Sequence, residues 1–117
     1  MDQRSRRKEL VEQYRQTRPE AGVYRLVNRQ NGKVLLASSP NLPSVESKME
    51  FARKVGGATI FGYKVAPDLR KFGIEAFDLE IVEVLETKPE MTPAEILADL
   101  KTLEQLWRER EDPALLY

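Results

Sequence analysis

Glu104 stands where an amphipathic helix ought to carry an apolar side chain. Between Pro93 and Trp107, the residues Ile96, Leu97, Leu100, Leu103 and Trp107 lay down an apolar face. With Ile96 at zero, Leu100 falls at about 40°, Glu104 at about 80° and Leu97 at about 100° around the helix axis. The carboxylate therefore leaves the helix from inside the apolar arc. An unpaired buried carboxylate is costly, so Glu104 needs an arginine, a lysine, a hydroxyl or a metal ion beside it. Alternatively the sheet ends short of it and leaves it exposed.

Tyr24, in a segment of β-branched and aromatic residues, is the second group with a usable proton; as a core aromatic it would keep its hydroxyl toward solvent. Ser38 and Ser39 read as turn residues. The 117-residue chain has no histidine to activate either as a nucleophile, and no cysteine. The commonest general base, the commonest zinc ligands and any disulfide framework are thereby excluded. Chemistry here must rest on tyrosine, lysine, arginine or carboxylates. Neither a phosphate-binding P-loop nor a dinucleotide fingerprint is present.

The elements that would position these groups follow from the pattern. Ser5 to Thr17 predicts a helix with Leu10, Val11 and Tyr14 on one stripe, ended by Arg18-Pro19. Gly22 to Val27 and Val34 to Ala37 predict two strands joined at Asn31-Gly32, the signal of a type I′ hairpin turn. The unbroken apolar run of the second strand implies burial on both faces. A helix over Leu42 to Val55 presents Val45, Met49 and Ala52 to the core and stops at Gly56-Gly57. Ala58 to Val65 shows no clear period. Pro67 to Gly73 predicts a short helix, and Phe77 to Leu85 a strand apolar enough for a central place in the sheet. Thr92-Pro93-Ala94-Glu95 forms a capping box for the last helix. The expected fold is α+β: a small three-stranded antiparallel or mixed sheet flanked by helices. Residues 1–20 form a helical extension and residues 21–117 one compact domain.

The zero net charge hides a polarity. From Ala21 to Ile74 the basic residues Arg25, Arg29, Lys33, Lys48, Arg53, Lys54, Lys64, Arg70 and Lys71 outnumber Glu46, Glu50 and Asp68, giving +6. From Glu75 to Tyr117 the balance is −8. A basic segment suits a phosphate backbone; equally, the two halves would neutralise each other in the fold. No apolar run approaches the roughly 20 residues of a membrane span, and the N-terminus lacks the apolar core of a secretory signal, so a cytoplasmic protein is expected.

Taken in order, Gly22-Val23-Tyr24, Asn31-Gly32-Lys33 and Leu35-Leu36-Ala37-Ser38-Ser39 resemble the paired strand motifs of the GIY-YIG nuclease family. Lys71 to Ile81 is similar to that family's third strand, and Leu103-Glu104-Gln105-Leu106-Trp107 followed by Asp112-Pro113 to its terminal helix. The opening segment into Arg18-Pro19-Glu20 resembles the small bacterial subgroup associated with LuxR-type regulators. The resemblance implies a phosphodiesterase site in which a first-motif tyrosine helps activate water, an arginine steadies the phosphate and a late glutamate holds Mg²⁺ or Mn²⁺. Tyr24 and Glu104 match the retained positions. Leu35 falls where the second tyrosine is expected, Ala37 on its glycine, Val45 near the arginine, and Met49 near a histidine or tyrosine. The resemblance thus implies a degenerate, catalytically impaired domain kept for nucleic-acid binding or protein interaction, with Arg25, Lys33, Lys48 and Arg53 as candidate phosphate contacts. An atypical Mg²⁺-dependent endonuclease using Tyr24, Glu104 and a cation such as Lys48 or Arg53 is the first alternative. A structural or regulatory protein-interaction domain without nucleic acid is the second.

Overall fold

Residues 18–57 and 59–117 are described by a computed structural model of the chain. The helix expected over Ser5 to Thr17 lies outside these residues. Strand β1 (Gly22–Asn28) runs antiparallel to both β2 (Val34–Ser39) and β3 (Phe77–Val84), giving the sheet order β2-β1-β3. Helices α1 (Leu42–Val55) and α2 (Ala66–Phe72) precede β3, and α3 (Pro93–Arg110) follows it. The expected three-stranded α+β architecture is present, with every strand pair antiparallel.

Three sequence expectations change. The strand β3 is at an edge, not at the centre; its far-end apolar residues Ile81 and Val84 are exposed. The central strand is β1, because its residues find partners on both sides. Strand β2, expected to be buried on both faces, buries Val34 and Leu36 while Leu35 and Ala37 stay half-buried. The hairpin is wider than a two-residue type I′ turn. Asn28 N–H donates to the Lys33 carbonyl at 2.8 Å, and only Gly32 takes a positive φ, 75°. The asparagine side chains decide this: Asn28 Oδ1 accepts from Gln30 N–H and Asn31 Oδ1 from Lys33 N–H, each at 2.9 Å. Two such side-chain turns hold Asn31 out of the left-handed region.

The helices begin and end where their caps dictate. Asn41 Oδ1 accepts from Ser44 N–H at 3.1 Å, and Gly56, at φ 73°, closes α1 by donating to the Ala52 carbonyl. Thr92 Oγ1 accepts from Glu95 N–H at 3.2 Å and starts α3. One face of the sheet meets α1 and α2 in a core of Leu26, Met49, Val65, Leu69, Ala76 and Phe77. The other meets α3, where Ile96 and Leu100 pack on Ala21.

A bulge lies between the two layers. Val23 pairs with Glu83 while Tyr24 pairs with Ile81, so β3 carries Val82 as an extra residue. The insertion reverses the pleat beyond it and turns Glu83 to the α3 face. There the Trp107 indole N–H donates to Glu83 Oε1 at 2.9 Å. Gly22 is required beside this bulge: a Cβ there would run into the Glu83 carbonyl oxygen and touch Leu42.

Candidate functional site

Glu104 is fully engaged. Ser38 Oγ donates to its Oε1 at 3.0 Å, and Arg108 Nη2 donates to its Oε2 at 3.2 Å. The same guanidinium nitrogen donates to the Leu36 carbonyl at 3.2 Å, so Arg108 ties the helix to β2. The geometry is that of an acid inside an apolar arc with an arginine and a hydroxyl as partners. Arg108 lies four residues after Glu104 on the same helix, a spacing legible in the sequence. Ser38 had no such signal, because its role depends on β2 passing beneath α3. The apolar face of α3 is also narrower than its sequence suggests: Ile96 and Leu100 are buried, whereas Leu97 and Leu106 are exposed.

Tyr24 approaches from the other side. It pairs with Ala37 and Ile81 and shares its face with Leu26 and Leu35, while Ser38 pairs with Val23 and faces α3. Burial, and after it the negative charge of Glu104, raise the Tyr24 phenol above its ordinary value of 10. A phenol held protonated in this way is a poor proton acceptor near neutral pH. The two groups influence each other electrostatically, and among the described residues no hydrogen bond joins them.

The remaining positions singled out by the sequence are filled with hydrocarbon. Val45 and Met49 are each 3% exposed, and Leu35 packs against the cluster that holds Met49. This part of the sheet face is a packed interior.

The four candidate phosphate contacts separate by surroundings. Arg25 lies between Glu111, at 3.1 Å, and Glu80, at 3.7 Å. Lys33 leans over the Tyr117 ring, 5.6 Å from its centre. Arg53 is exposed and lines a groove with Glu46, Glu50 and Asp78. Lys48 is exposed, and among the described residues no carboxylate lies within ion-pairing distance of it.

A divalent cation does not fit the Glu104 donor set. One carboxylate oxygen is held by a guanidinium, which a metal ion would have to displace, and among the described residues no cluster of acids gathers around it. Among the described residues, no three histidine, cysteine, aspartate or glutamate side chains gather as metal ligands. No described helix is long and apolar enough to cross a membrane.

Fold and site together define a small α+β domain with a hydroxyl- and arginine-paired glutamate beneath its last helix. No protein-family model matches the chain, and comparison with curated proteins returned no match. Among solved structures, the chain is similar to a mutant catalytic domain of the intron endonuclease I-TevI. The identity is 20% and the TM-score 0.42, over 72% of this chain and 84% of the other.

Proposed function

We infer that this chain is a degenerate GIY-YIG-like domain that does not cut nucleic acid and serves as a nucleic-acid-binding module. The observation that carries the loss of cutting is the burial of Val45. Where the motif order calls for an arginine on the phosphate, α1 presents an aliphatic side chain to the core. Losing such an electrostatic stabiliser typically costs about 2 to 4 kcal/mol in the transition state. Leu35 supplies no hydroxyl, and the engagement of Glu104 by Arg108 removes the metal ligand. No step through a metal ion is therefore assigned.

Retained binding rests on charge. The exposed cations of α1, α2 and the segment between them (Lys48, Lys54, Lys64, Arg70 and Lys71) have no ion-pair partners among the described residues. The acids concentrate instead on β3 and α3. Lys48 and Arg53 are the accessible members of the original four contacts, while Arg25 is held by its two glutamates.

The test is a cleavage assay with Mg²⁺ and Mn²⁺ on branched, single- and double-stranded substrates, run beside a binding titration across salt. Expected are no cleavage above that of Glu104→Ala, and an affinity that falls steeply with salt. Metal-dependent cleavage abolished by Glu104→Ala would establish an atypical endonuclease instead. Absence of any salt-dependent binding would leave a protein-interaction domain.

A further inference from the structure

We propose that the outer flank of α1, together with the segment leading into α2, is a stacking surface for single-stranded nucleic acid. The inference rests on the nucleic-acid-binding reading above and names the kind of strand. Phe51 is 57% exposed, Val55 64% and Tyr63 88%, unusual for two aromatics and a valine in so small a domain. Lys48, Phe51 and Val55 recur at i, i+3 and i+7, which sets them on one stripe of α1. The core residues Leu42, Val45, Met49 and Ala52 occupy a different side of the helix.

The segment after α1 carries Tyr63, the most exposed of the large hydrophobic residues described. Met49 and Val65 belong to one buried cluster, and Phe61 packs against it. Met49 of α1 and Val65 at the start of α2 thus share one packed base, and Phe51 and Tyr63 are the exposed aromatics of the two segments that meet there. Lys64 adjoins Tyr63 and is exposed, as is Lys48. The acids of α1, Glu46 and Glu50, sit on the opposite flank, where they line a groove with Arg53 and Asp78. The acids of α1 therefore lie away from the stripe that carries Lys48 and Phe51.

Exposed rings interleaved with lysines are what unpaired bases and their phosphates require: a π-face for each base and a cation for the backbone. A duplex keeps its base faces stacked inside and offers such rings nothing to stack on. A cation-only surface would bind both forms alike, so the aromatic pair is what selects the single strand.

The experiment is fluorescence anisotropy with a labelled oligothymidylate of about 20 nucleotides and a duplex of equal length, at several salt concentrations. The single strand should bind more tightly. Phe51→Ala and Tyr63→Ala should each weaken that binding about tenfold and leave duplex affinity unchanged. Lys48→Gln should lower the magnitude of the salt slope by about 0.7. Both aromatic sites are exposed, so circular-dichroism melts of the variants should match the parent. Equal affinity for the two forms, with neither aromatic substitution having an effect, overturns this proposal and leaves the nucleic-acid-binding reading intact. Binding to neither form at any salt concentration overturns both.

Discussion

The Tyr117 hydroxyl donates to Asp68 Oδ2 at 2.7 Å, fastening the chain after α3 to the first turn of α2. The fully buried Asn28 donates from Nδ2 to the same hydroxyl at 3.0 Å, and Asn31 Nδ2 reaches Asp68 at 3.0 Å. Tyr117 N–H also donates to the Val34 carbonyl at 3.0 Å, beside a short parallel bridge between Val34 and Leu116. One tyrosine thus joins the hairpin, the edge of β2 and α2.

Tyr117→Phe should destabilise the domain by about 1 to 3 kcal/mol, because the Asn28 amide loses its short partner inside the protein. Urea unfolding of the two proteins measures the difference. An unchanged midpoint would mean that water replaces the hydroxyl.

The same contact predicts a pH profile with two limits. Hydrogen bonds from Tyr117 and Asn31 hold the Asp68 carboxyl below its ordinary value of 3.8. Asp68 therefore contributes stability that is present above that value and is lost as pH falls through the lowered one. Burial first, and then its bond to Asp68, push the Tyr117 phenol up to about 12. Its contribution is complete below the ordinary value of 10 and disappears as pH rises from there toward about 12. Urea midpoints should fall at both ends, and the alkaline fall should be smaller in Tyr117→Phe, where the raised Tyr24 phenol still contributes.

Gly22→Ala should cost about 1 to 3 kcal/mol, the usual consequence of forcing an extra methyl against packed backbone. The new Cβ meets the Glu83 carbonyl, which cannot withdraw without opening the β1–β3 pairing. A thermal melt reads the loss, and an unaltered Tm would show that the bulge yields freely.

Val45→Arg, the substitution that would restore the motif's cation, should destabilise by about 3 kcal/mol or more, because it puts a charge into a position 3% exposed. Chemical denaturation provides the measurement. A stable Val45→Arg protein that acquired metal-dependent cleavage would show the site to be latent.

Glu104→Ala should cost about 1 kcal/mol, since it removes a half-exposed ion pair and a hydroxyl hydrogen bond. Glu104→Gln keeps an acceptor for Ser38 and should cost less. Equal melts for all three proteins would make the Arg108 contact incidental.

Much of the fold was legible because its signals are local. Asn41 and Thr92 cap their helices, Gly56 and Gly73 end theirs, and the α1 stripe of Val45, Met49 and Ala52 is buried as its period requires. What escaped depends on partners distant in sequence. Whether β3 is central or at an edge is decided by which strand has neighbours on both sides, and its composition is apolar in either place. The Ser38 contact needs β2 and α3 to cross, and the Asn28–Asp68–Tyr117 network needs three separate segments to converge. The Glu104 position was readable as an acid in want of a partner. The identity of one partner, Arg108, lay four residues away.

The extra residue in β3 gives that strand one position of slack in its length. Removing Val82 alone would take out the unpaired residue and leave Glu83 opposite Val23 on the α3 face, where the Trp107 indole keeps its acceptor. An exposed margin of a sheet ordinarily tolerates small gains and losses of chain. Here a single-codon deletion of the bulged residue would restore a regular ladder and leave the residues beyond it in their present environments, so this margin can lose one residue at that position.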